Sequence, residues 1–95
     1  MASMLPLLEE ILRKQEVRSP DGPPIPLHSA ITADEGAALQ RLITQKCPVV
    51  SLEIGLAFGV STLFICEALS KAGGKRHIVI DPSQESGWQG IGLRH

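Results

Sequence analysis

Apolar residues at Leu5, Leu8, Ile11 and Leu12 fall on one stripe of a helix, with Glu9, Glu10, Arg13 and Lys14 on its other side. The pattern predicts a first helix running to about Val17. It is expected to pack against its own domain, a dimer or lid helix being the alternative. Four prolines and one glycine follow in Arg18–Pro26, which predicts a linker without regular structure. A second helix should begin at Thr32, where Thr32-Ala33-Asp34-Glu35 has the spacing of a capping box. Leu39, Leu42 and Ile43 supply its buried face, and it should end near Lys46, ahead of Pro48.

Periodicity then changes. Val49–Ile54, a short β-branched and apolar run between Pro48 and Gly55, reads as a buried strand. Ser61–Ala72 reads as a helix that Gly73-Gly74 stops, carrying a favourable Glu67/Lys71 pair. His77–Ile80 reads as a second buried strand ending at Asp81-Pro82. The order strand, helix, strand predicts a parallel crossover, so the expected class is α/β. Its architecture would be a partial Rossmann-like, doubly wound parallel sheet beginning helix-helix-strand-helix-strand-helix. The division expected is an N-terminal helix and Pro-rich linker over 1–27 and a cofactor-binding domain over 28–95.

Composition narrows the function without choosing it. With 95 residues, 43% hydrophobic and 20% charged, the chain is an ordinary single globular domain with a small core. Nine basic residues against ten acidic ones leave no Lys/Arg stripe, so nucleic acid is not an expected ligand. The apolar run Val60–Cys66 is interrupted by Ser61 and Thr62 and is too short to cross a bilayer. Met4–Leu8 is followed at once by Glu9 and Glu10 and has no basic flank before it, unlike a secretory signal; a cytoplasmic protein is expected. Cys47 and Cys66 lack CxxC spacing and are expected to be reduced thiols. His28, His77 and His95 are scattered, so no metal site is expected.

The chemistry-bearing feature is Glu53-Ile54-Gly55-Leu56-Ala57-Phe58-Gly59-Val60-Ser61-Thr62, a strand passing through a glycine-bearing loop into a helix. Gly55 can take dihedrals barred to other residues, and Gly59 permits close approach of backbone or ligand. Free N–H groups at the helix start and the Ser61 and Thr62 hydroxyls suit a carboxylate or phosphate. Asp81 follows the next strand, about twenty residues past Gly59, the spacing at which an acidic residue meets a ribose. Together they predict a pocket for an adenosine-containing cofactor. No lysine stands at the helix start, as a P-loop requires. Ala57 stands where the second glycine of a dinucleotide fingerprint belongs and Val60 where the third would fall, a poor match to NAD. Plainer readings exist: Glu53 as a carboxylate satisfied by nearby N–H groups, Asp81-Pro82 as a turn, Trp88 as a packing residue rather than a ring stacked on adenine, and His28 as a solvated loop residue rather than one closing over the pocket.

These residues resemble the class I S-adenosylmethionine-dependent methyltransferases, particularly the small-molecule O-methyltransferase branch. There the first motif is an acidic residue, any residue, Gly, three residues and Gly, often with x-Ser-Thr after it, and Glu53–Leu63 is similar throughout. Asp81 matches the family's acidic residue after the second strand, and His28–Thr32 resembles the segment before the first motif. Ile80-Asp81-Pro82-Ser83-Gln84, with Trp88–Leu93 after it, is similar to a bacterial subfamily assigned to the methyltransferases by resemblance alone. The resemblance implies that Gly55, Leu56, Ala57 and Gly59 line the methionine part of S-adenosylmethionine and that Ser61 and Thr62 bind its carboxylate. Glu53 would shape the loop or approach the amino group, and Asp81 would hold the ribose. Ala57 departs from the family's commoner glycine.

The resemblance spans about Ile31 to Leu93. The family's later strands, which supply the rest of the adenine pocket, any metal-binding carboxylates, the acceptor site and the catalytic base, have no counterpart here. A truncated domain, or one that completes itself by pairing through open sheet edges, is therefore expected. The implied function is methyl transfer to a small-molecule acceptor. A non-catalytic interaction module that retains the fold and a nicotinamide-binding fragment are the alternatives.

Overall fold

The structure, a computed structural model, describes residues 5–95; Met4, the first residue of the apolar run above, lies outside them. Helix α1 spans Pro6–Lys14 and buries Leu8 and Ile11. It is shorter than expected. Gln15 turns left-handed (φ 55°), its N–H bonding the Ile11 carbonyl at 2.8 Å, and the chain leaves the helix two residues before Val17. Glu16–Val17 forms β1, which pairs antiparallel with β2, Ile25–Pro26. The proline-rich segment is thus a hairpin rather than an unstructured linker. Pro26 is tolerated because a two-stranded ribbon has only edges, where a missing N–H costs no ladder bond. Leu27 N–H extends the closure to the Gln15 carbonyl at 2.8 Å.

Helix α2, Ala33–Lys46, starts at the expected capping box. Glu35 N–H donates to Thr32 Oγ1 at 3.1 Å, and Thr32 N–H donates to Glu35 Oε1 at 2.8 Å. Strand β3 (Val50–Ile54), helix α3 (Val60–Ala72) and strand β4 (Arg76–Ile80) follow as a strand-helix-strand unit. The two strands pair in parallel, with Val50, Leu52 and Ile54 opposite Arg76, Ile78 and Ile80. Two short helices close the described chain: α4, Gln84–Gly87, and α5, Ile91–Arg94.

One core joins Leu8, Ile11 and Val17 to Phe58, Val60, Leu63, Phe64 and Ile91, so the α1 stripe packs against the rest of its own domain. A second joins Ile43 of α2 to Ile65, Ala68 and Leu69 of α3. The strands, in contrast, are not buried on both faces. Leu52 is 59% and Ile54 78% exposed, because α3, whose Ser61 and Thr62 reach Glu53, lies on the opposite face. The covered face bears Ser51, Glu53, His77 and Val79, so the more polar side points inward. The small sheets and helices make a mixed α/β arrangement. Among the described residues no helix is long and apolar enough to cross a membrane.

The contact of α2 with α3 closes over Gly36. A Cβ at that position would lie 2.5 Å from three ring atoms of Phe64, which is 1% exposed. Gly36→Ala should therefore destabilise the fold by about 1–3 kcal/mol through overpacking, against the roughly 1 kcal/mol that alanine gains in helix propensity. Urea denaturation checks the sign: a stabilised variant would mean that the two helices are looser than described. On the solvent side, Thr32→Ala should cost about 1 kcal/mol in the same measurement.

Candidate functional site

At the end of β3, the Glu53 carboxylate points into the covered face of the sheet, toward the first turn of α3. His77 Nε2 lies 3.0 Å from Glu53 Oε1, and His77 Nδ1 lies 2.7 Å from Ser51 Oγ. A carboxylate oxygen accepts, so His77 Nε2 donates to Glu53. From the first turn of α3, the Ser61 and Thr62 hydroxyls also donate to Glu53. Glu53 is thus a hub with three side-chain donors, and its side chain is 13% exposed. The chain folds this way because Ser51 and Glu53, two apart on a strand, share a face, and the parallel register sets His77 opposite Ser51.

Beyond Glu53 the backbone turns through Gly55 (φ +88°), Ala57 (φ +51°) and Gly59 (φ +85°) before α3 begins. Ala57 is the exception in that series, since a left-handed conformation costs a non-glycine residue about 1–2 kcal/mol. The turn aims two backbone donors at the end of β4. Leu56 N–H and Ala57 N–H reach Asp81 Oδ2 at 3.0 and 3.2 Å. Asp81 Oδ1 accepts from Ser83 N–H at 3.0 Å. These bonds hold the Asp81 carboxyl below the ordinary aspartate range, the Ser83 N–H contributing most and the Leu56 N–H next, with partial burial opposing them.

The residues predicted from sequence therefore assemble into two adjoining clusters. Glu53, Ser61 and Thr62 meet beneath the loop, while Leu56, Ala57 and Asp81 meet at its outer end; Gly55 faces open space, with no atom within 4 Å of an added Cβ. In this arrangement a ligand carboxylate would have to win the Ser61 and Thr62 protons from Glu53. Gly59 caps α3 and faces the Gly92 carbonyl, 3.3 Å from where a Cβ would stand.

Sequence reading missed Gln84, which is 4% exposed. Its amide nitrogen donates to Asp81 Oδ2 at 2.9 Å and to the Ala57 carbonyl at 3.0 Å, and its oxygen accepts from Leu93 N–H at 3.3 Å. A polar residue three positions after the acidic one, at helical spacing, is the signal that could have found it. Also unforeseen is the contact of His28 with Phe58 and Trp88, whose ring centroids lie 5.0 to 5.5 Å apart. Trp88 packs in this aromatic group beside the loop.

Cys47 is exposed and Cys66 half-buried; both thiols are free, and burial, aided by the nearby Glu53, pushes the Cys66 thiol up. Among the described residues no group of three or more His, Cys, Asp or Glu side chains is placed to hold a metal ion. Three surface cavities of about 360 to 410 Å³ lie along α1 with the hairpin, along α2 and along residues 27–33; none is lined by the loop or Asp81. Comparison with protein-family models, with curated proteins and with solved structures gives no match.

Removing the hub leaves His77 Nε2 and the Ser61 and Thr62 hydroxyls without their partner inside the fold. Glu53→Ala is expected to destabilise by about 1–3 kcal/mol, the cost of buried polar groups left unsatisfied. An unchanged urea midpoint would show that water serves these groups as well as Glu53 does.

Proposed function

We propose that this chain carries the cofactor-binding part of an S-adenosylmethionine-dependent methyltransferase, on a sheet of the Rossmann-like, doubly wound kind. The observation that carries the reading is the approach of Asp81, at the end of β4, to the glycine-bearing loop after β3, 3.0 Å from the Leu56 N–H. Ligands of open α/β sheets bind beyond the carboxyl ends of the strands, where a loop of this kind and an acidic residue about twenty positions on can hold a nucleoside between them.

The residues fit that group at Gly55 and Asp81. Gly55 leaves room above the loop, and among the described residues Asp81 Oδ1 accepts one hydrogen bond, which leaves an acceptor site for a ribose hydroxyl. When bound, the cofactor supplies an activated methyl group, which an oxygen, nitrogen or carbon nucleophile of a small-molecule acceptor takes by in-line displacement. This chain's part is to orient the donor: Asp81 by hydrogen bonds to the ribose, Leu56, Ala57 and Gly59 by lining the methionine portion, and Ser61 and Thr62 by exchanging Glu53 for the ligand's carboxylate. Orientation of this kind is a large share of what such catalysis requires.

A second reading is a non-catalytic interaction module that keeps the fold. It is favoured by the same hydrogen bonds, since the loop amides and both hydroxyls already have partners within the chain. Calorimetric titration with S-adenosylhomocysteine separates the two. The methyltransferase reading expects saturable binding that weakens at least tenfold in Asp81→Ala, with circular dichroism unchanged. Equal binding by both proteins would remove Asp81 from the pocket, and absence of binding to either would favour the module.

A further inference from the structure

We infer that Ser83–His95 is a latch over the glycine loop, that it opens as a unit while the rest of the fold stays closed, and that Gln84 is its positioning residue. The inference rests on the cofactor reading only for the identity of the ligand the latch admits. Its two helices, α4 and α5, are four residues each and have no side-chain caps. Helices so short have no stability of their own, so tertiary contacts must hold them.

Those contacts converge on the loop. Gln84 bridges the Ala57 carbonyl, Asp81 and Leu93 with one side chain. Gly92 lies so close that an added Cβ would stand 2.4 Å from the Ala57 oxygen and 2.8 Å from Leu56 Cγ. His95 Nδ1 donates to the Phe58 carbonyl at 2.8 Å, and Ile91, fully buried, anchors the segment in the core.

The closed latch obstructs the ligand chemistry proposed for Asp81. Asp81 Oδ2 accepts from Leu56, Ala57 and Gln84 at once, which saturates that oxygen. With one ribose hydroxyl on Oδ1, the second can reach Oδ2 only if one of those donors withdraws, and Gln84 is the one whose withdrawal also frees the Ala57 carbonyl and Leu93. Segments that open below the cost of global unfolding are the ones proteins use to admit ligands.

Native-state amide hydrogen exchange tests this without any ligand. Trp88, Gly90 and Ile91, whose amides bond to carbonyls within the segment, should exchange together and faster than Ala68 and Leu69 in α3. Gln84→Ala, which removes the polar clasp, and Gly92→Ala, which wedges the contact sterically, should each accelerate the three amides about tenfold and leave α3 unchanged. Gly87→Ala, whose added Cβ meets nothing within 4 Å, should alter neither set. Exchange of the three amides at the α3 rate, or no response to both Gln84→Ala and Gly92→Ala, would overturn the latch. A titration of Gln84→Ala and Gly92→Ala with S-adenosylhomocysteine should show tighter binding than in the parent, and Gly87→Ala binding equal to it. Failure of all of them to bind, with the exchange pattern as expected, would remove the cofactor reading and leave the latch standing.

Discussion

The hydrogen bonds from Leu56 and Ala57 to Asp81 tie the chain leaving β3 to the chain leaving β4. A turn between strand and helix exposes backbone donors that have no ladder partner, and such donors must find an acceptor or water. A carboxylate at the end of the neighbouring parallel strand is well placed to accept two of them, and a charged acceptor strengthens each bond. The left-handed conformation of Ala57 is tolerable because this anchor holds the turn in place. Gln84 and the two short helices then build on the same carboxylate, so the outer end of the loop, the end of β4 and the final described segment form one connected unit.

Beneath that unit, the layering of the sheet is unusual. The side covered by helices carries the Ser51, Glu53 and His77 network, whereas the side facing water carries Val50, Leu52, Ile54, Ile78 and Ile80. Polar groups inside are tolerable because they satisfy one another: no buried side-chain nitrogen or oxygen among the described residues lacks a partner. Parallel strands are ordinarily buried on both faces. That habit is why the apolar outer residues, read from sequence alone, predict a burial that the described chain does not provide.

Local signals in the sequence were the legible ones. Thr32 and Glu35 specify a helix start through two reciprocal bonds three residues apart, and those bonds form. The strand-helix-strand order between Val50 and Ile80 is likewise carried by short apolar runs and the glycines between them. Where the prediction failed, the deciding partner was distant in sequence or the backbone took a conformation that side-chain pattern does not encode. Gln15 leaves α1 through a left-handed turn that no glycine announces, and the hairpin after it forms although Pro26 lies within it. At the site, Glu53, Ser61, Thr62 and Asp81 could be singled out by type and spacing. Their partners could not: that His77 reaches Glu53 depends on strand register, and that Gln84 spans Asp81 and Ala57 depends on how α4 packs.

The connected unit around the loop depends on the Asp81 carboxylate being bound by backbone amides in the free protein. A carbon-13 NMR titration of that carboxyl group tests this most directly. Bonds that favour the charged form depress the folded-state pKa, so the stability they contribute is present above the unfolded value and is lost as pH falls through the folded one. The midpoint should fall below the ordinary aspartate value of 3.8, with the Leu56 and Ala57 amide shifts moving in step with it. A midpoint at or above that value, or amide shifts indifferent to it, would contradict the account.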